Sequence, residues 1–278
     1  MKHNQSEPTQ EITHLLLTRF NLDYSLTDGK PYICDERWHQ ERFKLFFTYC
    51  MPSVKDQSCK DFTWLIFFNR ALKNNYQKEI EKAERDVPQI EFIYVASDED
   101  HLILLKNYVR TRVKSKFLIS SRLDNDDIIC QNYIEELQKK YHALAGTELP
   151  YLMNAGTGYQ VEVKWPYRIG LVKGRTYSSF ITLVCSSREK SDIITILDHQ
   201  HQEWENKAEY FELNHKPAWI QVIHEKNLAN RITTLRLTAK IKSDVFPKFP
   251  YQLSKLFRWF LYPIQIFISL NNKMSKSA

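Results

Sequence analysis

A mixed α/β fold with a mostly parallel sheet flanked by helices is what this sequence predicts, on two observations. Through the first two hundred residues, short apolar runs alternate with longer helix-like segments. A helix between two strands carries the chain back across the sheet, so alternation of this kind pairs strands in parallel. From Tyr151 onward the pattern changes to strand-like runs separated by Gly, Pro and Ser, which adds strands of another kind.

The elements follow in order. Ile12–Thr18 (ITHLLLT) is an apolar run suited to a buried strand. Glu36–Tyr49 places Trp38, Phe43, Phe46 and Phe47 at helical spacing. Phe62–Phe68 (FTWLIFF) reads as a second buried strand, and Leu72–Asp86 as a polar, charge-laced helix. Ile90–Ala96 is a third strand, and Asp98 is the expected cap of a helix running to about Arg112. Lys116–Ser120 is a fourth strand, followed by an acidic run and then a helix over Ile128–Ala145. Tyr151–Lys164, Tyr167–Lys173 and Phe180–Ser186 read as strands, the stretch around His199–Glu205 as a helical patch, and Pro217–His224 as a late strand.

Composition removes several functions. The six glycines form neither GxGxxG nor GxxxxGK[ST], so no glycine-rich phosphate cradle is expected. Any diphosphate would have to be neutralised another way, and a metal held by carboxylates is the obvious substitute. Five cysteines without a CxxC argue for a reduced, cytoplasmic chain rather than a disulfide scaffold or zinc module. The polar N-terminus has no apolar stretch of signal-peptide type. The net charge of +6 is concentrated in residues 240–278, whose seven basic residues face one acid, while the rest of the chain is balanced. A nucleic-acid binder would spread its excess over the folded face, so no nucleic-acid partner is expected. The apolar, basic stretch Leu256–Leu270 instead suggests contact with the inner face of a membrane, or docking on the protein itself or on a partner. The chain therefore divides into residues 1–235 and a tail, 236–278.

The central motif is Ser121-Arg122-Leu123-Asp124-Asn125-Asp126-Asp127. Three carboxylates in four residues repel one another unless a cation sits among them. A hard divalent ion with oxygen ligands suits them. The rival reading is a solvated turn whose acids cap the next helix. The position of the run at the end of an apolar strand favours function, because open sheets bind ligands beyond the carboxyl ends of their strands. A second constellation ends the late strand: His224, then Asn227, Asn230 and Arg231, which either reach a ligand or serve as turn residues. In a third, Asp198-His199-Gln200-His201-Gln202-Glu203, the two histidines point to different faces of a helix and do not make a metal pair. Asp198 or Glu203 is the expected general base toward an acceptor hydroxyl, and Tyr159 and Trp165 are candidates for stacking on sugar.

Several segments, in this order, resemble the rhamnosyl transferase family of bacteria: Thr13 to Asn21, then Trp38, Arg42 and Leu45-Phe46, then Met51-Pro52-Ser53 with Gln57, then Asp61 to Leu65, the acidic run, and Trp219 to His224 with Asn227 and Asn230. The likeness spans roughly residues 11–231, and the family is similar to family-2-like GT-A glycosyltransferases. The resemblance implies a GT-A-like fold, a nucleotide-sugar donor, a glycan or lipid-linked acceptor, and Mn²⁺ or Mg²⁺. It implies that Asp124 contacts the nucleoside, that Asp126 coordinates the metal, and that a late histidine, His224, reaches the metal or diphosphate; Arg19, Asn69, Arg122 and Asn227 are the further candidates around the donor, and Asp127 a further metal candidate. Inversion at the anomeric carbon is likewise implied. One departure stands out: where such enzymes carry an acidic residue after the second strand, this chain has Phe68-Asn69-Arg70. The alternatives from other classes are a GT-A-like module that binds glycan or metal without turnover, and a glycoside hydrolase. The hydrolase is poorly served, since its carboxylates must flank a bond about 5–10 Å apart and these lie in one turn.

Overall fold

The computed structural model describes residues 11–22, 35–96, 99–163, 169–188, 193–214, 216–224, 241 and 245–246. Asp98, Trp165, Asn227, Asn230, Arg231, the 235/236 boundary and the apolar stretch of the tail lie outside the described residues.

Two sheets form the body. The larger is built from β1 (Ile12–Arg19), β2 (Thr63–Asn69), β3 (Ile90–Val95), β4 (Phe117–Arg122), β6 (Tyr151–Asn154), β9 (Ile181–Ser186) and β10 (Glu209–Glu212). Its strand order is β10-β6-β9-β4-β1-β2-β3. Strands β4, β1, β2 and β3 are parallel, and β9 runs antiparallel to both β4 and β6. The smaller sheet has the order β5-β11-β7-β8, from β5 (Ile128–Ile129), β7 (Gly158–Glu162), β8 (Ile169–Val172) and β11 (Trp219–Ile223). The expected mixed, mostly parallel architecture is present.

The central strands are apolar on both faces because both faces are covered. One core gathers Leu16, Trp64, Ile66, Phe68 and Ile119 with Phe43, Phe46 and Tyr133. On the opposite face Leu15, Leu17, Leu65, Phe67 and Leu118 pack against Leu105, Val109 and Trp204.

The helices are α1 (Glu36–Leu45), α2 (Met51–Lys55), α3 (Gln77–Asp86), α4 (His101–Arg112) and α5 (Tyr133–Ala143). Asp35 caps α1, its side chain accepting the Trp38 N–H at 2.7 Å. Between α1 and α2, Phe46–Cys50 forms a π-helical turn, in which the Met51 N–H reaches back to the Phe46 carbonyl. Pro52 follows at once; it has no N–H to give, and the wider turn falls where an α-helical bond would be missing.

Three expectations are corrected, and one strand is added. The helix after β3 is capped by Asp100, whose carboxylate accepts the Leu102 N–H at 2.8 Å. Ile128 and Ile129 leave the expected helix to pair with β11, so α5 starts only at Tyr133. Residues 201–207 are turns rather than a helix, pinned by the buried Trp204. Strand β10 was not anticipated: Glu209–Glu212 is a half-exposed edge strand without an apolar run.

Candidate functional site

The acidic run turns the chain from β4, in the large sheet, to β5, in the small one. The turn is fixed by bonds that cross it. The Thr18 hydroxyl donates to the Leu123 carbonyl at 2.7 Å and accepts the Trp64 indole N–H at 2.9 Å. The Asn125 amide donates to the Phe20 carbonyl at 2.8 Å, tying the turn to the carboxyl end of β1. The Cys50 thiol, in the π turn, lies 3.5 Å from the Asp124 carbonyl. Burial, then the charges of Asp126, Asp127 and Asp124, push that thiol well above its ordinary range, so it is a neutral packing group.

The three carboxylates occupy three environments. Asp124 faces outward, with 36% of its side chain exposed, and Arg122 bonds it at 3.2 Å and 3.3 Å. Burial alone would raise its pKa, but Arg122, Arg19 and Arg42 outweigh that and hold it below the usual carboxylate range. Asp126 is 4% exposed. Its Oδ2 accepts the Arg42 guanidinium at 2.7 Å and lies 2.8 Å from His224 Nε2. Asp127 is turned inward. Its Oδ1 accepts the Val222 N–H at 2.9 Å, and its Oδ2 is buried without a partner. Burial, then Asp126 and Asp124, push its pKa well upward. Asp127 thus acts as a strut between the turn and β11.

Arg42 belongs to the segments that carry the family resemblance, but the reading of the acidic run gave it no role. It projects from α1 and also donates to Asn125 Oδ1 at 3.0 Å. The Trp38 ring lies beneath its guanidinium, 4.9 Å from centroid to carbon. Its position in a helical pattern would have passed for a solvated charge. Only the packing of α1 over the carboxyl ends of the strands brings it to Asp126.

Beside this cluster, the ends of β1 and β2 are cross-linked. Asn21 Oδ1 accepts the Asn69 N–H at 2.8 Å, and Asn21 Nδ2 lies 3.0 Å from His39 Nε2. The Asn69 side chain accepts the Ala71 N–H at 2.9 Å, and His39 stacks on Tyr76 at 5.0 Å. Arg19 acts electrostatically on both Asp124 and His101. So Arg19, Asn69, Arg122, Asp124, Asp126 and His224 are all at the carboxyl edge of the sheets. Tyr159 is 3% exposed and packs against Phe246, so it is a core residue and not a sugar platform.

Asp198 and Glu203 are engaged locally. Asp198 accepts the Thr195 N–H and hydroxyl at 2.7 Å and 2.9 Å and pairs with Lys106. Glu203 accepts the Gln200 N–H at 2.9 Å.

Among the described residues, no group of three or more His, Cys, Asp or Glu side chains is arranged to hold a metal. Asp126 and His224 nonetheless place an oxygen and a nitrogen ligand side by side. A divalent ion shared with a diphosphate takes one or two protein ligands and completes its shell from phosphate and water. Two such side chains are the number an ion shared with a diphosphate would need, and fewer than a closed protein cage requires.

The profile of the family described as "Putative rhamnosyl transferase" matches residues 14–236, most of the chain. The chain belongs to this family. The rhamnosyl transferase match runs from β1 through β11, and so includes Arg42, the acidic turn and His224. It places the chain among the glycosyltransferases. No curated protein matches. Among solved structures, S. aureus TarS 1–349 is 12% identical with a TM-score of 0.44, over 76% of this chain and 60% of that one. The same fragment in complex with UDP is 11% identical with a TM-score of 0.42, over the same shares of the two chains. The inositol-1-phosphate CTP transferase of T. maritima is 14% identical with a TM-score of 0.32, over 77% of this chain and 90% of that one. This chain thus spans about three-fifths of the TarS fragment it resembles. Among the described residues, no helix is long and apolar enough to cross a membrane.

Proposed function

We propose that this protein transfers a sugar, rhamnose by its family, from a nucleotide-sugar donor to a hydroxyl of a glycan or lipid-linked acceptor. The observation that carries the reading is the convergence of Arg42 and His224 on one oxygen of Asp126, at the carboxyl edge of the sheets. The solvent-facing Asp124–Arg122 pair is the natural contact for the nucleoside and its phosphates. Asp126 and His224 would hold Mn²⁺ or Mg²⁺ jointly with the donor diphosphate. The bound ion would stabilise the negative charge that develops on the leaving diphosphate.

The protein's own groups do the rest. Arg42 pairs with the buried Asp126 side chain at 2.7 Å and holds it aimed before donor arrives. Arg122 and Arg19 keep Asp124 ionised and therefore an acceptor for hydroxyl or base N–H groups. Asp127, bonded to β11, keeps the turn and His224 in register. A single displacement, with the acceptor oxygen entering opposite the departing phosphate, inverts the anomeric carbon.

The test is a thermal-shift panel of nucleoside diphosphates and nucleotide sugars, each with and without Mn²⁺, followed by transfer assays on the hits. A ligand at 100 times its Kd should stabilise by about 2.7 kcal/mol. Metal-dependent stabilisation followed by transfer supports the reading. Stabilisation without transfer to any acceptor leaves a binding module, and no stabilisation by any nucleotide removes the donor site altogether.

A further inference from the structure

The segment that follows β9 packs onto β4, where the Ile196 N–H donates to the Ser120 hydroxyl at 3.0 Å. Its two flanking carboxylates secure the loop. Asp198 closes a capping box with Thr195 and pairs with Lys106 of α4. Glu203 caps the turn that follows, and Trp204 sinks its indole into the core, with its N–H 3.3 Å from the Ile196 carbonyl. Between these anchors stands His201.

Its geometry defines its tautomer. His201 Nδ1 lies 2.8 Å from the Tyr177 carbonyl oxygen, which can only accept. Nδ1 therefore carries the proton and Nε2 presents the lone pair. The residue that supplies this carbonyl, Tyr177, has a φ of 45°, a conformation that a side chain rarely adopts. The Tyr177 ring leans on Tyr210, 5.4 Å away, whose hydroxyl donates to Glu212 at 2.8 Å. Arg122 and Asp124 at the end of β4, and Arg175 in the loop before β9, all act electrostatically on His201. The carbonyl that holds the imidazole belongs to Tyr177, in the segment leading into β9, where Thr182 pairs with Ser121 beside Arg122, so His201 stands by the carboxyl end of β4. Burial, then Arg122, lower its affinity for protons, with Arg175 adding to this and the Tyr177 carbonyl and Asp124 opposing.

We propose that His201, and neither Asp198 nor Glu203, is the base that receives the acceptor's proton. The inference rests on the glycosyl-transfer reading above. The proton of the acceptor hydroxyl passes to Nε2 as the acceptor oxygen bonds to the anomeric carbon. The bond from that carbon to the phosphate oxygen breaks, its electron pair leaves on the nucleoside diphosphate, and the imidazolium later returns its proton to water. A base poised in this way contributes about 10²–10⁴-fold to rate.

The experiment uses the full chain with Mn²⁺, the nucleotide sugar that stabilises it most, and p-nitrophenyl glycosides as acceptors. His201→Gln and His201→Ala are compared with Asp198→Asn and Glu203→Gln. Expected is a fall in kcat of about 100-fold or more for both His201 variants, with donor affinity by thermal shift within about twofold of the parent's, a change of at most about 0.4 kcal/mol. Added imidazole should restore part of the His201→Ala rate, which a purely structural loss would not allow. Near-parental kcat in His201→Gln, or a 100-fold loss confined to Asp198→Asn or Glu203→Gln, overturns the assignment. Absence of donor binding and transfer in the parent overturns the glycosyl-transfer reading itself, and the assignment with it.

Discussion

Replacing Asp126 with asparagine keeps the shape of the side chain and removes its charge. From the acidic run alone, the change should leave stability unchanged or raise it, because Asp124 and Asp127 lose a repelling neighbour. The structure alters that expectation. Asp126 Oδ2 already holds Arg42 and His224, whose side chains are only 11% and 12% exposed. Stranding a buried charge costs about 3–5 kcal/mol. Arg42 retains Asn125 Oδ1 and the face of Trp38, and Asp127 gains some relief, so about 2–3 kcal/mol is expected. With an unfolding entropy of about 2.1 cal/mol/K per residue over 278 residues, melting should fall by about 3–5 °C. Transfer should fall by about two orders of magnitude, the scale of losing one electrostatic stabiliser. The assays are thermal melts of Asp126→Asn, Arg42→Met and the double variant, alongside donor turnover. Additive losses in the double variant, or a melting temperature at or above the parent's, would refute the ion-pair argument. Near-normal turnover would remove Asp126 from the active site.

Three further outcomes are expected. His14 is buried on β1, with Nε2 2.9 Å from the Ser121 hydroxyl and Nδ1 unpartnered, and burial lowers its pKa from 6.5 to about 3. The unfolded chain then binds a proton that the folded chain refuses, so this stability is present above pH 6.5 and lost as pH falls toward 3, at up to about 1.4 kcal/mol per pH unit. Relative to His14→Gln, the parent should lose about 2 kcal/mol between pH 6.5 and pH 5 in urea melts, and parallel pH curves would contradict this. Gly158→Ala would place Cβ 2.2 Å from the Trp219 ring, which is stacked on Phe180 at 4.6 Å, so a loss of about 3 kcal/mol or more is expected by chemical denaturation. A chain truncated after Phe246, which keeps that residue against Tyr159, should bind anionic liposomes less than the full chain, and equal flotation would dismiss the tail as a membrane contact.

Strands with long apolar runs were legible because burial on both faces leaves one signature. Ile12–Arg19 and Thr63–Asn69 are nearly continuous in aliphatic and aromatic residues. Glu209–Glu212 was not legible, since an edge strand can be half exposed and tolerate glutamate at both ends. Ile128–Ile129 was absorbed into the following helix because two residues carry no period of their own. At the site, the places of Asp126 and His224 at strand ends were legible, and the structure brings the two within 2.8 Å across nearly a hundred residues of chain. The partner of Arg42 was not, because it is set by how α1 lies over the sheet. Nor was the commitment of Asp198 and Glu203 to their own loop, which depends on turns that the pattern presented as a helix.

The π turn at Phe46–Cys50 has a bearing on how this segment tolerates length change. An α-helix advances about 100° per residue, so one residue accommodated in a wider turn resets the phase of everything after it. Upstream of the turn, Arg42 meets Asp126. Downstream, the Ser53 hydroxyl accepts the Ile129 N–H, and Gln57 bonds the Cys130 carbonyl at 2.7 Å and accepts the Ile134 N–H at 3.0 Å. Deleting any one residue between Phe46 and Cys50 would restore a regular helix and swing one of these two halves away from the acidic turn. Homologous chains that keep both Arg42 and Gln57 in these roles should therefore conserve the spacing between them to the residue, even where the intervening aromatics are exchanged.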